Sequence, residues 1–531
     1  MSTLAGTGEL LRLVLRLDRV RLPIWIAAIL VFIWVSAASV IGLYPDPESI
    51  EAYVALVEGN PTLIAVEGPG IGFESPNVGV VLVNETTTWA TIALSLMAVF
   101  LVVRHTRTEE DAERTELLLA RQVGRHALLA ASLVVVASAM VLVGALTVAL
   151  LVALGLPTAG SVAVAAAFVA VGLVATSFAA VAAQVMSSAR GALGMGVSFV
   201  GVAYVLRAVG DVGNEFVSWM SPIGWAHRIR AFAGEDWWVL ALFLASAVVL
   251  VAAAVVLSDR RDLGSGIVAQ RPGPARAPRW ATSPFGLAWR LQRGSVIGWS
   301  IGLFVLGLVY GTVGRDVEQL FEDNPDFEQF LAQADGASIT DTFYAFTLAL
   351  GAMMACGFAI SSVLRIRSEE SAGRVESILA TPTSRSVWAG SHLAVTVLGA
   401  AVVLAASGAG TGIGLAFSVE DPEQLPRMFG ASLGYVPAVL VLAGLTMLLV
   451  GKLPRLGMVS WALLAIVLVI GLFGDLFELP QWVRNVSPIE QTPSLPAEAF
   501  RPLPFAMLVG TALVGAGVGV VALRRRDIPT T

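Results

Sequence analysis

The residues best placed to do work in this chain are charged, and they come in two copies. RTEEDAERTELLLARQVGR at 107–125 holds nine ionised side chains in nineteen residues, in a chain of 531 that is 56% hydrophobic and 14% charged. A shift of 260 lays it on RSEESAGRVESILATPTSR at 367–385 without a gap. Arg107, Glu109, Glu110, Arg114 and Glu116 then meet Arg367, Glu369, Glu370, Arg374 and Glu376. The chemistry open to these groups is ion pairing and mechanical contact. The spacing predicts i,i+4 pairs, Glu110 with Arg114 and Glu370 with Arg374, in the order that favours a helix. The four histidines, His105, His126, His227 and His392, are scattered without metal-ligand spacing. Nothing in this set is arranged for covalent catalysis.

The elements that must carry the repeat are apolar. Mean hydropathy is +0.80, and runs such as WIAAILVFIWVSAASVIGLY and LGMVSWALLAIVLVIGLFG exceed the ~18 residues that mark a membrane helix. Lipid offers no partner to an open backbone, so spans must be helices, and the alternation of a membrane barrel is absent. Twelve spans are expected, near 22–43, 79–103, 127–154, 161–186, 191–210, 237–258, 295–314, 341–364, 387–416, 428–451, 456–474 and 504–523. Nine charges inside lipid would cost roughly 27 kcal/mol in total, at about 3 each, so the repeat lies outside the hydrocarbon. The apolar run after it, Leu117–Ala120 or Ile378–Ala380, suggests a short second helix under the membrane. ELLRLVLRLDRVRLP near the N-terminus places leucines and arginines at helical spacing, as a helix lying on the membrane surface does.

Basic residues are retained in the cytoplasm. With the N-terminus inside, 26 of the 33 Lys+Arg fall in inner segments, which puts both termini in the cytoplasm. Acids gather on the other side. The loop at 44–78 carries Asp46, Glu48, Glu51, Glu58, Glu67 and Glu74 with no base, and the loop at 315–340 is similar. The single cysteine, Cys356, excludes an intrachain disulfide. RLDRVRLPIW at 16–25 returns as RLQRGSVIGW at 290–299, and Ser221-Pro222-Ile223 as Ser487-Pro488-Ile489. The chain therefore reads as two parallel six-span halves. The first is 1–258, with a surface helix at 5–20 and the charged stretch at 104–126. A cytoplasmic linker and second surface helix follow at 259–294. The second half is 295–531, with its charged stretch at 365–386.

The pattern Glu-Glu-x-x-Arg-x-Glu, then Leu-Leu-Ala, then Arg, after the second span resembles the coupling region of ATP-binding-cassette permeases of the type 2 exporter superfamily. The fused twelve-span layout and the linker pieces GPARAP and SPFGLAWRLQRGSVIGW are similar to actinobacterial tetronasin-, polyketide-antibiotic- and multidrug-type export permeases. The resemblance covers the whole chain. It implies an all-α polytopic fold with surface helices, coupling helices and short re-entrant outer helices between spans five and six. It implies a bacterial plasma-membrane subunit that is not itself catalytic and that works in drug or antibiotic efflux. Two copies of a separate nucleotide-binding ATPase would carry the ATP and Mg. That agrees with the absence of a GxxxxGK[ST] loop in this chain. It also makes Arg107, Glu109, Glu110, Arg114, Glu116 and their five counterparts the ATPase-coupling residues. This chain departs from the family pattern in the first copy. Glu113 stands where the family and the second copy (Gly373) have glycine, and Gln122 where they have proline (Pro382).

The resemblance also places the cargo path along spans one, two and five of each half. Asn84, Glu85, Thr87 and Trp89 on span two, and Tyr344, Phe346, Met353 and Met354 on span eight, are the candidates. Aromatic and thioether groups suit large, amphiphilic, weakly polar cargo; nucleic acid is not an expected partner. Two other classes fit the composition. A proton-coupled secondary transporter needs protonatable groups near the midplane, and Glu85 lies near the outer surface. A lipid-processing membrane enzyme needs an acidic or metal-binding cleft cluster, which the pattern does not show.

Overall fold

A computed structural model describes residues 2–58, 60–115, 123–262, 264–268, 276–312, 339–474 and 479–527. Glu116, the run Leu117–Ala120, most of the acidic loop expected at 315–340 and the linker's 269–275 lie outside the described residues. The chain divides into two compact units, Met1–Gly273 and Pro274–Thr531.

The first unit contains α1 (Thr7–Leu17), α2 (Arg21–Leu43), α3 (Pro47–Val57), α4 (Pro61–Val66), α5 (Val78–His105) and α6 (Arg107–Asp111). After these come α7 (Ala127–Ala153), α8 (Thr158–Val185), α9 (Ala189–Val212), α10 (Glu215–Ser218), α11 (Pro222–His227) and α12 (Val239–Arg260). Local signals set the starts. The Asn77 side chain accepts from Val80 N–H at the head of α5, and Ser188 does the same for Gly191 N–H at the head of α9. Asp46 and Ser49 form a reciprocal capping box on α3. Helices α5 and α8 are buried along most of their length. Small residues line the α8 face, Ala163, Ala167 and Ala170 among them, so neighbouring backbones can approach closely.

The second unit contains α13 (Pro284–Thr312), α14 (Ile339–Ser371), α15 (Arg374–Leu379), α16 (Arg385–Val419), α17 (Gln424–Leu433) and α18 (Val436–Lys452). It ends with α19 (Val459–Phe473), α20 (Gln481–Arg484) and α21 (Pro502–Arg525). Helices α18 and α21 touch through glycine. A side chain on Gly444 would meet the Ala512 carbonyl at 2.6 Å, and one on Gly451 the Gly519 carbonyl at 2.1 Å. Equal steps along both chains mean that the two helices run parallel.

Among the described residues, eleven helices are long and apolar enough to cross a membrane, so this is an all-α, multi-pass membrane protein. Two expectations need correction. The span expected at 456–474 is α19, of 15 residues. At 1.5 Å per residue it covers about 22 Å, less than the ~30 Å hydrocarbon core. Because α18 and α21 run parallel, however, the chain must recross between them, and α19 with the residues after it makes that return. It packs antiparallel to α14, with Gly457 against Leu364 and Gly471 against Met353, and so reaches only partway along that helix. A separate second surface helix is also absent among the described residues. The chain from Pro284 runs unbroken into the seventh span as one 29-residue helix. In the first unit the helix stops at Leu17, and Asp18 takes a non-helical backbone. Gln292, aligned with Asp18, is a better helix former than aspartate.

Candidate coupling site

The charged repeat folds as the end of the second span of each unit. In the first copy Arg107 is fully buried. Its Nη1 donates to Glu110 Oε2 at 2.7 Å and to the Ser265 carbonyl at 2.7 Å, and its Nη2 to the Gly264 carbonyl at 3.0 Å. Arg261, the first residue beyond α12, grips both oxygens of Glu110 at 2.5 and 2.9 Å and donates its Nε to Gln184 at 2.7 Å. Such two-pronged charged pairs fix orientation as well as energy. Arg125 closes the ring by donating to the Ser258 and Arg261 carbonyls, both at 2.7 Å. Those carbonyls sit at the C-terminal end of α12, where a helix leaves acceptors free and favours a cation.

The second copy repeats this plan. Arg367 pairs with Glu370 at 3.3 Å. Arg526, the first residue beyond α21, donates to the other Glu370 oxygen at 2.6 Å. Arg385 donates to the carbonyls of Arg524 at 3.4 Å and Arg526 at 2.5 Å. In each unit, then, the repeat is clasped to the end of that unit's last helix. The glutamate takes an arginine from beyond the helix, and an arginine from the repeat caps the helix carbonyls.

The expected i,i+4 pairs do not form. Arg114 donates to both oxygens of Glu109 at 3.1 Å, and Arg374 to those of Glu369 at 2.7 and 3.1 Å. The helix breaks between the partners. Glu113 has φ 59° and Gly373 φ 68°, so each chain turns left-handed just before the arginine and swings it back onto the earlier glutamate. The position where the first copy lacks glycine has thus kept the glycine conformation, at a steric cost. Beyond the turn, α15 buries Val375 and exposes Arg374, Glu376 and Ser377. Glu110 and Glu370 turn inward to Arg261 and Arg526, while the buried Glu369 takes Arg365 and the exposed Arg374.

A second buried polar group lies next to each clasp. Asp18 accepts from Arg104 Nε at 3.0 Å and bonds His105. Its counterpart Gln292 bonds His392 Nδ1 at 3.0 Å and accepts from Ser362, which also meets Thr396 at 2.6 Å. The first junction is charged and the second neutral.

The cargo-path candidates divide. On α5, Glu85 and Trp89 lie on the accessible side, with Leu96 and Phe100 further along the same stripe. Asn84 and Thr87 point into the helix packing, and the Asn84 amide and Thr87 hydroxyl have no hydrogen-bond partner among the described residues. On α14, Phe346 and Met354 are exposed. Tyr344 is buried and donates to the Gly311 carbonyl at 3.0 Å, and Met353 is buried against Gly471. Near Glu85 the outer corner is acidic and aromatic. Tyr53 donates to Glu67 at 3.1 Å and meets Tyr44 edge-on at 5.1 Å. Burial raises the pKa of Glu67. Burial, then the Glu85 and Glu67 charges, pushes the Tyr44 phenol up to about 12.

Reading the sequence alone missed Arg261 and Arg526 as partners of the repeat. The available signal was the run of arginines that closes the last helix of each half, Arg260-Arg261 and Arg524-Arg525-Arg526.

The model of the C-terminal domain of the multidrug efflux system permease Rv1217c matches residues 282–524, which takes in the second repeat. The multidrug efflux system permease protein Rv1217c of Mycobacterium tuberculosis is 37% identical over 530 residues, spanning 99% of this chain and 96% of that protein.

Proposed function

This chain belongs to the multidrug efflux system permease family, and from that premise we propose that it is the membrane-spanning permease of an ATP-driven ABC exporter. It moves amphiphilic or hydrophobic compounds outward by alternating access. It sits in the plasma membrane with both termini in the cytoplasm. Two copies of a separate nucleotide-binding subunit supply ATP and Mg.

The motor subunits dock on the exposed side of each repeat: Arg374, Glu376 and Ser377 in the second copy, and Arg114 with the segment after it in the first. The left-handed turn and the Glu109–Arg114 or Glu369–Arg374 tie hold that docking segment to its lever. The lever is the second span itself. Helix α14 runs 33 residues without a break, roughly 50 Å at 1.5 Å per residue, from the docking end to the outer edge. Glu110–Arg261 and Glu370–Arg526 link the same push to the last helix of each unit. Glu85, Trp89, Phe346 and Met354, on the accessible stripes, line the cargo path and change exposure as the levers tilt. Nothing in this chain breaks or makes a covalent bond.

The observation that carries this reading is the doubled clasp. Its two arginine partners lie outside the 260-residue register of the repeat, at 261 and 526, yet they reach equivalent glutamates. Duplicated charge patterns on a solvated surface have no cause to do that. The test is reconstitution of the chain with its nucleotide-binding subunit in liposomes. Drug-stimulated ATP hydrolysis should fall at least tenfold in Arg374→Glu/Glu376→Arg with the complex weakened. Wild-type stimulation in that variant would refute docking at α15.

A further inference from the structure

The second unit contains a cleft that the transport reading does not use. It holds about 230 Å³ between α16, α18 and α21, with an almost wholly apolar wall that includes Leu393, Val397, Leu440, Gly444, Leu513 and Ala516. It is open on its outer side, since Val397 and Leu513 beside it are exposed. All three helices cross the membrane, so the cleft lies at hydrocarbon depth, where lipid chains can reach an open apolar slot.

The basic residues around it say which lipid. Following each helix from the cleft toward the end of the bundle that carries Arg526, a basic residue stands eight positions on. Arg385 precedes Leu393 by eight, Lys452 follows Gly444 by eight, and Arg524 follows Ala516 by eight. At 1.5 Å per residue each lies roughly 12 Å beyond the cleft. The three are gathered together: Arg385 reaches the Arg524 carbonyl at 3.4 Å, and α18 and α21 touch at Gly451 and Gly519. Lys452, Arg524 and Arg525 are exposed and make no ion pair among the described residues. An apolar slot with a basic rim one headgroup-and-linker length away matches a phospholipid with a negative headgroup. Basic pockets between spans at the inner leaflet hold such headgroups.

We propose that this cleft is a binding site for an anionic phospholipid, with one acyl chain between α16, α18 and α21 and the phosphate on Lys452 and Arg524. The close contact of Gly444 with Ala512 closes the back of the slot, the small Ala516 leaves it open, and the parallel pairing of α18 and α21 keeps the two basic residues on one rim. The bound lipid would brace the helix whose end the Glu370 clasp holds. This inference needs only the membrane-spanning fold and stands apart from the identity of the motor or the cargo.

The test is native mass spectrometry of the full chain in detergent, with dioleoyl phosphatidylglycerol or dioleoyl phosphatidylcholine added separately. The tails are identical, so only the headgroup differs. Each basic residue near an anionic headgroup is worth roughly a fivefold preference, so the wild-type chain should retain the glycerol lipid roughly 25-fold better. Lys452→Ala/Arg524→Ala should bring the two lipids to parity and leave the clasp, which uses the Arg524 backbone only, intact. Ala516→Phe, which fills the slot, should lower retention of both lipids at least tenfold. Ala394→Phe repeats that test from another helix, and an unchanged elution profile certifies the fold of each. Equal retention of the two lipids by the wild type would overturn the proposal, as would wild-type retention in both slot-filling variants. If those variants lose a headgroup-free dye such as Nile red and keep both lipids, the cleft belongs to cargo and the proposal is wrong.

Discussion

Arg107 in the first clasp is fully buried and serves Glu110, Asp111 and two backbone carbonyls of the chain beyond α12. Arg367 in the second is 35% exposed and serves one glutamate. The same contrast holds at the neighbouring junction, where Asp18 gathers Arg104 and His105 while Gln292 joins an uncharged net of His392, Ser362 and Thr396. At the turn, the first copy forces a glutamate into a left-handed backbone and the second uses glycine. The two copies thus share connections and differ in which charge they bury: the first covers its arginines, Arg107 and Arg261, more fully than the second covers Arg367 and Arg526, while Glu370 is the more buried glutamate. A buried pair is strongly sensitive to loss of one partner, because the remaining charge has no water to turn to. The first clasp should therefore act as the rigid, fragile one and the second as the more yielding.

Three pairs of substitutions test that contrast, and each is read from denaturant unfolding in detergent. The largest difference is expected at the clasp glutamates. Glu110→Ala removes the carboxylate shared by two covered arginines, leaving them mainly neutral acceptors, and should cost about 3–5 kcal/mol. Glu370→Ala leaves Arg367 and Arg526 partly in water and should cost about half as much. Equal losses would erase the distinction. The junctions come next. Asp18→Asn weakens hydrogen bonds to charged groups, worth about 1.5–3 kcal/mol, whereas Gln292→Leu removes neutral ones, worth about 0.5–1.5. A larger loss at Gln292 would contradict the charged-versus-neutral reading. The smallest pair is at the turn. Glu113→Gly should relieve left-handed strain and gain about 0.5–1 kcal/mol, and Gly373→Glu should lose about 1. Destabilisation by Glu113→Gly would mean that the glutamate has a role the turn does not explain.

What the sequence made legible follows from which forces act locally. Apolar runs must become helices in lipid, so nearly all spans stand where hydropathy puts them. The repeat was visible because aligned charges survive in both halves, and Ser188 and Asn77 mark helix starts in the usual way. Reading failed where a distant partner decides. Arg114 turns to Glu109 because the backbone at Glu113 goes left-handed, and no rule based on helix spacing contains that turn. Glu110 meets Arg261 across more than 150 residues. The helix from Pro284 continues because Gln292 finds its partners without leaving the helix, whereas Asp18 recruits Arg104 and His105 at a break. Among the cargo-path candidates, Glu85, Trp89, Phe346 and Met354 lie on accessible stripes, whereas Asn84, Thr87, Tyr344 and Met353 are buried, a division set by the rotation of α5 and α14 against their neighbours that residue type does not encode.

The central claim is that the clasp between each charged repeat and the end of the last helix of its unit transmits the motor's work. The direct test is drug-stimulated ATP hydrolysis by the reconstituted complex carrying Glu110→Arg, Arg261→Glu or both. The account predicts that each single reversal abolishes stimulation and that the double swap restores at least half of it. Full stimulation in the single variants, with the chain folded and its motor bound, would contradict it.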